Sequence, residues 1–238
     1  MNPFKKAAII GCGGIATNLA PALSRIMDVV LFDGDKYEPK NVSRQFPALK
    51  STENKAKTLA SLIKEHTLHN VEFVESFVKC SSEATKDAWK DVDLIIGCVD
   101  NNASRRILIE IAEDLEICCI LGGNEHEEGE AHCFIPDVYN PLLHHAFPDT
   151  EPAPWACNSD KQIDKHPQTP LANIMASSAI FHIILSLQKV MSPMNAIVHS
   201  RLEPLSSTFS RAKNILADIG NVPEAAAPVE LTQEVSSQ

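Results

Sequence analysis

Three features of this 238-residue chain predict an α/β doubly wound fold: a mixed sheet with a parallel core and helices on both faces. Short, largely apolar runs at 7–10, 29–32, 93–99 and 117–121 read as buried parallel strands, hydrophobic on both sides. Helical patterns separate these runs, so strand alternates with helix through the first half. A glycine-rich turn, Gly11-Cys12-Gly13-Gly14, closes the first run and opens the first helix.

Each element follows from its local pattern. The first strand, 7–10, ends at Gly11, and a helix is expected over 15–27. The second strand, 29–32, carries Asp33 at its C-terminal end, about twenty residues past the glycines, as in Rossmann-like sheets. Over 55–65, Ala56, Leu59, Leu62 and Ile63 fall on one face of a helix. A third strand is expected at 71–78. The run 93–99 delivers Asp100 to its C-terminal end, and Asn101-Asn102-Ala103-Ser104 offers caps for a helix reaching 114. After the strand at 117–121, residues 131–135 are expected to pair antiparallel beyond the turn that contains Glu125-His126-Glu127-Glu128.

From 136 to 170 the pattern changes to seven prolines without periodicity, a long Pro-rich crossover loop of the kind that is functional or disordered. The apolar stretch 171–191 carries Asn173, three serines, His182, Gln188 and Lys189, which points to a buried helix and not a membrane span. A strand at 196–199 and a helix at 210–219 complete one domain, 1–220. The tail 221–238 has no aromatic residue and only acidic charges, and is expected to be disordered.

Composition excludes several classes. A formal charge of −10, from 31 acidic and 21 basic residues, leaves no Lys/Arg block to neutralise a phosphate backbone, so no nucleic-acid partner is expected. Seven cysteines, mostly inside apolar runs, read as reduced thiols of a cytoplasmic protein. The four-residue apolar run after Lys6 is too short for a signal sequence.

The chemistry concentrates in two strings. Gly11 and Gly13 permit a tight turn and the approach of a phosphate to backbone N–H groups at a helix start; Ala16 stands at the third fingerprint position. A plain structural turn is the alternative. The string Asp33-Gly-Asp35-Lys-Tyr-Glu-Pro-Lys-Asn41-Val-Ser-Arg44-Gln45 puts ribose acceptors and phosphate donors on one rim, with Asp33 the expected acceptor of sugar hydroxyls unless it is a simple loop aspartate. Fixed cations at Arg44 and Lys55 favour a triphosphate over NAD.

The ordered set Gly11-x-Gly13-Gly14, Asp33-x-Asp35, Asn41-x-x-Arg44-Gln45, Lys55-Ala56 and Asp100-Asn101 with Arg105 resembles the ThiF/MoeB family, bacterial relatives of ubiquitin-activating enzymes. The resemblance covers about 5–135. It implies an ATP- and Mg2+-dependent enzyme, a homodimer, that adenylates the C-terminal carboxylate of a small ubiquitin-like or sulfur-carrier protein ending in Gly-Gly. By position, Asp33 would hold the ribose, Asn41, Arg44 and Lys55 the phosphates, and Asp100 the Mg2+, with Gln45 supporting the loop; Lys57 is the rival to Lys55. Arg105 would be a supporting, interface or simply solvated residue.

Cys157, in Pro-Ala-Pro-Trp-Ala-Cys-Asn, stands where relatives place a cysteine that carries a thioester or persulfide, unless it is an incidental loop thiol. Cys133, His144, His145, Cys157 and His166 are candidate metal ligands, but the paired Cys-x-x-Cys of a structural zinc site is missing. The six residues before the first strand contain no arginine, where many relatives carry an arm whose arginine reaches a partner's nucleotide. The alternatives are a non-catalytic scaffold subunit of the same fold and an NAD-dependent oxidoreductase.

Overall fold

The computed structural model describes residues 4–43, 45, 53–80, 87–125, 128–136, 169–189 and 198–201. Among these residues the sheet is mixed and seven-stranded, in the order β3-β2-β1-β4-β5-β6-β7. Strands β1 (Lys6–Ile10), β2 (Asp28–Phe32), β3 (Val71–Val74), β4 (Leu94–Gly97) and β5 (Cys118–Glu125) are parallel; β6 (Glu128–Phe134) and β7 (Val198–Arg201) continue antiparallel. Strands β1, β2, β4 and β5 lie where the apolar runs placed them, because a strand covered on both faces must be hydrophobic on both.

Helices cover both faces. Alternate residues of β1, Ala7 and Ile9, point into one core with α1 (Gly14–Leu23), α2 (Lys55–Lys64) and α4 (Pro170–Lys189). Their neighbours Ala8 and Ile10 point into a second core with Trp89 and α3 (Asn102–Asp114). Ile9, Leu31, Ile95, Ile96 and Ile120 are fully buried, each contributing about 2 kcal/mol of apolar transfer. Helix α4 is long and apolar enough to cross a membrane, and in this fold it packs on β5, β6 and α1. A side chain at Gly129 of β6 would collide with the α4 backbone at Ala172 and Ala176, so glycine there sets how closely helix and sheet meet.

Several boundaries differ from expectation: β5 runs on to Glu125 and β6 already begins at Glu128, so Glu125 and Glu128 pair in the sheet where a turn was expected. Helix α1 ends at Leu23, and Ser24–Met27 is a turn that still buries Met27. Strand β3 stops at Val74 and not 78, because an edge strand has one neighbour and the chain here leaves β2. Short 3-10 turns at Pro39–Asn41 and Asp87–Trp89 are additional. Residues 137–168 of the crossover loop, the helix at 210–219 and the tail lie outside the described residues.

Candidate nucleotide site

In the order β2-β1-β4, the sheet reverses its direction of winding at β1, and a cleft of about 490 Å3 opens at the carboxyl ends of these strands. Gly11 leaves β1 with φ +88°, where only glycine is unstrained, and a Cβ there would lie 2.7 Å from the Cys98 carbonyl oxygen. Gly13 is the N-cap of α1 and offers no side-chain acceptor to the first-turn N–H groups. Gly11, Gly13, Gly14 and Ile15 line the cleft, so this helix start is a cradle that fits a phosphate.

Asp33 fixes one rim. It is 7 % exposed; Oδ2 accepts from the Cys12 N–H at 2.7 Å and Oδ1 from the Asp35 N–H at 2.7 Å. Burial pushes its carboxyl above the ordinary 3.8, partly offset by the Lys55 ammonium and those two N–H groups. Lys55 opens α2, and its Nζ lies 3.2 Å from Asp35 Oδ2. Lys55 lines the cleft; Lys57 is exposed and does not.

Sequence reasoning missed what holds that rim. Asn54 caps α2, accepting from the Lys57 N–H at 3.1 Å, while its Nδ2 donates to the Asp33 carbonyl at 2.7 Å and the Asp35 carbonyl at 3.1 Å. An Asn immediately before a helical pattern was the available signal. Asn41 is buried and its Oδ1 accepts from the Glu38 N–H at 2.9 Å. Gln45 lines the cleft beside Gly13, and its buried Oε1 has no partner among the described residues.

Asp100 defines the opposite rim, at the end of β4. It is exposed, and among the described residues its Oδ1 receives only a long 3.4 Å contact from Asn101 Nδ2. Arg105, half-buried, ties this turn down: Nη1 donates to Asn102 Oδ1 and Nη2 to the Val99 carbonyl, both at 3.3 Å. Asn101 caps α3 by accepting from the Ser104 N–H at 2.8 Å. At the far end, Asn124 Nδ2 donates to Asn173 Oδ1 at 2.8 Å, and the Asn173 carboxamide presses on Gly14. These two residues are 49 positions apart, and no local pattern could have joined them.

Arg44 and Cys157 lie outside the described residues, as do His144, His145 and His166. Cys12, Cys119 and Cys133 are buried, and Cys98 is pushed up to about 12 by burial, so these are packing thiols. Cys80, beyond β3, is exposed. Among the described residues, no three His, Cys, Asp or Glu side chains cluster around a metal position. A lone carboxylate such as Asp100 fits an ion like Mg2+ that takes its other oxygens from phosphates and water.

A model of the ThiF family matches residues 4–218. The chain belongs to the ThiF family. This ThiF-family chain is 33% identical over 116 residues to ubiquitin-like modifier-activating enzyme 5 of Drosophila melanogaster, covering 43% of the chain and 29% of that protein. Over 155 residues it is 26% identical to the adenylyltransferase and sulfurtransferase UBA4 of Kluyveromyces lactis, covering 63% of the chain and 34% of that protein. It thus spans about a third of the length of these relatives. The fold matches the microcin C7 biosynthetic enzyme MccB in complex with N-formylated MccA, with a TM-score of 0.67 at 15% identity, over 87% of the chain and 64% of MccB. The same fold is seen in E. coli MccB with ATP, with a TM-score of 0.61 at 15% identity, over 87% of the chain and 63% of that one.

Proposed function

We propose that this chain is an ATP- and Mg2+-dependent adenylyltransferase acting on the C-terminal carboxylate of a small ubiquitin-like or sulfur-carrier protein. One observation carries it: the uncapped start of α1, the Asp33/Asp35/Lys55 rim and the exposed Asp100 surround a single cleft. Triphosphate chemistry needs cations held on the phosphates, a requirement that hydride transfer does not share. The names of the relatives and the ATP held by E. coli MccB support the same chemistry.

In this scheme Asp33 accepts from the ribose hydroxyls, while the α1 N-terminus, Asn41, Arg44 and Lys55 hold the phosphates. Gln45 steadies the glycine loop. Mg2+, when bound at Asp100, supplies charge neutralisation at the phosphates. A carboxylate oxygen of the carrier attacks the α-phosphorus of ATP, the bond to the β-phosphate breaks, pyrophosphate leaves and an acyl-adenylate remains. Alignment and neutralisation carry that step, with little acid/base chemistry. Transfer onward would use Cys157 as a thioester or persulfide carrier, and a homodimer in the cytoplasm completes the proposal.

ATP–pyrophosphate exchange with a panel of Gly-Gly-ended carrier proteins tests it. Exchange that requires both a carrier and Mg2+ is expected. ATP binding without exchange on any carrier points instead to a non-catalytic scaffold of the same fold. Pyridine-nucleotide binding without any dependence on Mg2+ would replace both with an oxidoreductase.

A further inference from the structure

Beyond β3 the chain buries Val78 in the second core, against Phe32 and Trp89, which stack at 4.9 Å. The preceding residue, Phe77, therefore turns outward, and it lines the cleft while remaining 43% exposed. Its ring rests on the backbone of Gly34: a Cβ there would meet Cδ2 and Cε2 at 2.5 Å. Gly34 joins Asp33 to Asp35, so the ring sits beside the rim assigned to the ribose. A half-exposed phenyl ring costs apolar solvation unless something flat covers it.

Resting on the nucleotide assignment above, we propose that Phe77, seated on Gly34, is the stacking platform for the nucleobase and sets the purine preference of the site. The cleft divides accordingly. The α1 N-terminus and Lys55 take the phosphates, Asp33 the ribose, and Phe77 with Val78 the base. Stacking reads area and not base edges, so a purine gains more from the ring than a pyrimidine does. Glycine at 34 is part of the device, since any side chain there displaces the ring.

Isothermal titration of the full chain and of Phe77→Leu, Phe77→Trp and Gly34→Ala, with ATP, CTP and inorganic tripolyphosphate in Mg2+, tests this. Wild type should bind ATP more tightly than CTP. Phe77→Leu and Gly34→Ala should each weaken ATP about tenfold, reduce the preference over CTP, and leave tripolyphosphate unchanged; Phe77→Trp should keep ATP binding. Equal losses on tripolyphosphate would make Phe77 a prop for the loop and overturn the platform. Unchanged ATP affinity in Phe77→Leu would also overturn it. Failure of wild type to bind any of the three ligands would sink the nucleotide assignment itself, a distinguishable outcome.

Discussion

Asp33 and Asp100 stand at the ends of β2 and β4, on either side of β1, and face one cleft in opposite states. Asp33 is buried with a backbone N–H on each oxygen; Asp100 is exposed with one long contact, to its neighbour, among the described residues. The first is part of the architecture, joining the glycine loop at Cys12 to the Asp35 turn. The second is held only through its turn, which Arg105 pins from α3. A fixed acceptor suits a ligand group that must be located, and an open carboxylate suits an ion that arrives with its own waters. Stability and activity should therefore separate between the two rims.

The sharpest break in this contrast is expected from Asp100→Ala. Carrier-dependent pyrophosphate exchange should fall by about 100-fold or more, the loss typical of removing one transition-state stabiliser. Urea unfolding should be unchanged, because the side chain is exposed and its one hydrogen bond among the described residues is long. Asp33→Ala should do the reverse in part. It strands two N–H donors, each costing about 1–3 kcal/mol, while relieving a buried charge. A net destabilisation of about 2 kcal/mol is expected in urea, with ATP affinity reduced by about tenfold or more.

Arg105→Lys is a smaller test, because a lysine cannot hold the Val99 carbonyl and Asn102 together. Exchange should drop several-fold with ATP affinity nearly kept, measured as kcat against KM. The smallest effect concerns pH. The folded state holds the Asp33 proton more tightly than the unfolded chain, whose carboxyl sits near 3.8. Its contribution to stability is therefore present below 3.8 and lost as pH rises through the raised value. Nucleotide binding should run oppositely: titrated downward in pH, ATP affinity should fall as Asp33 gains its proton above 3.8. That step should vanish in Asp33→Asn.

Much of the fold was legible in the sequence because buried parallel strands cannot hide their composition. The glycine loop, Asp33, Lys55 and Asp100 were legible for a related reason: each sits at a strand or helix end, and strand ends could be counted. What escaped depended on tertiary contact. Asn124 and Asn173 meet only when α4 returns to the glycine loop. Phe77 reads as one more strand residue until β3 stops at Val74 and turns it over Gly34.

The division of labour between the two aspartates is tested most directly by calorimetric ATP titrations of wild type, Asp33→Ala and Asp100→Ala, each with and without Mg2+. Wild type should bind more tightly with Mg2+. Asp100→Ala should bind ATP but lose that dependence, and Asp33→Ala should bind poorly under both conditions. Full Mg2+ dependence in Asp100→Ala, or unaltered affinity in Asp33→Ala, would contradict the account.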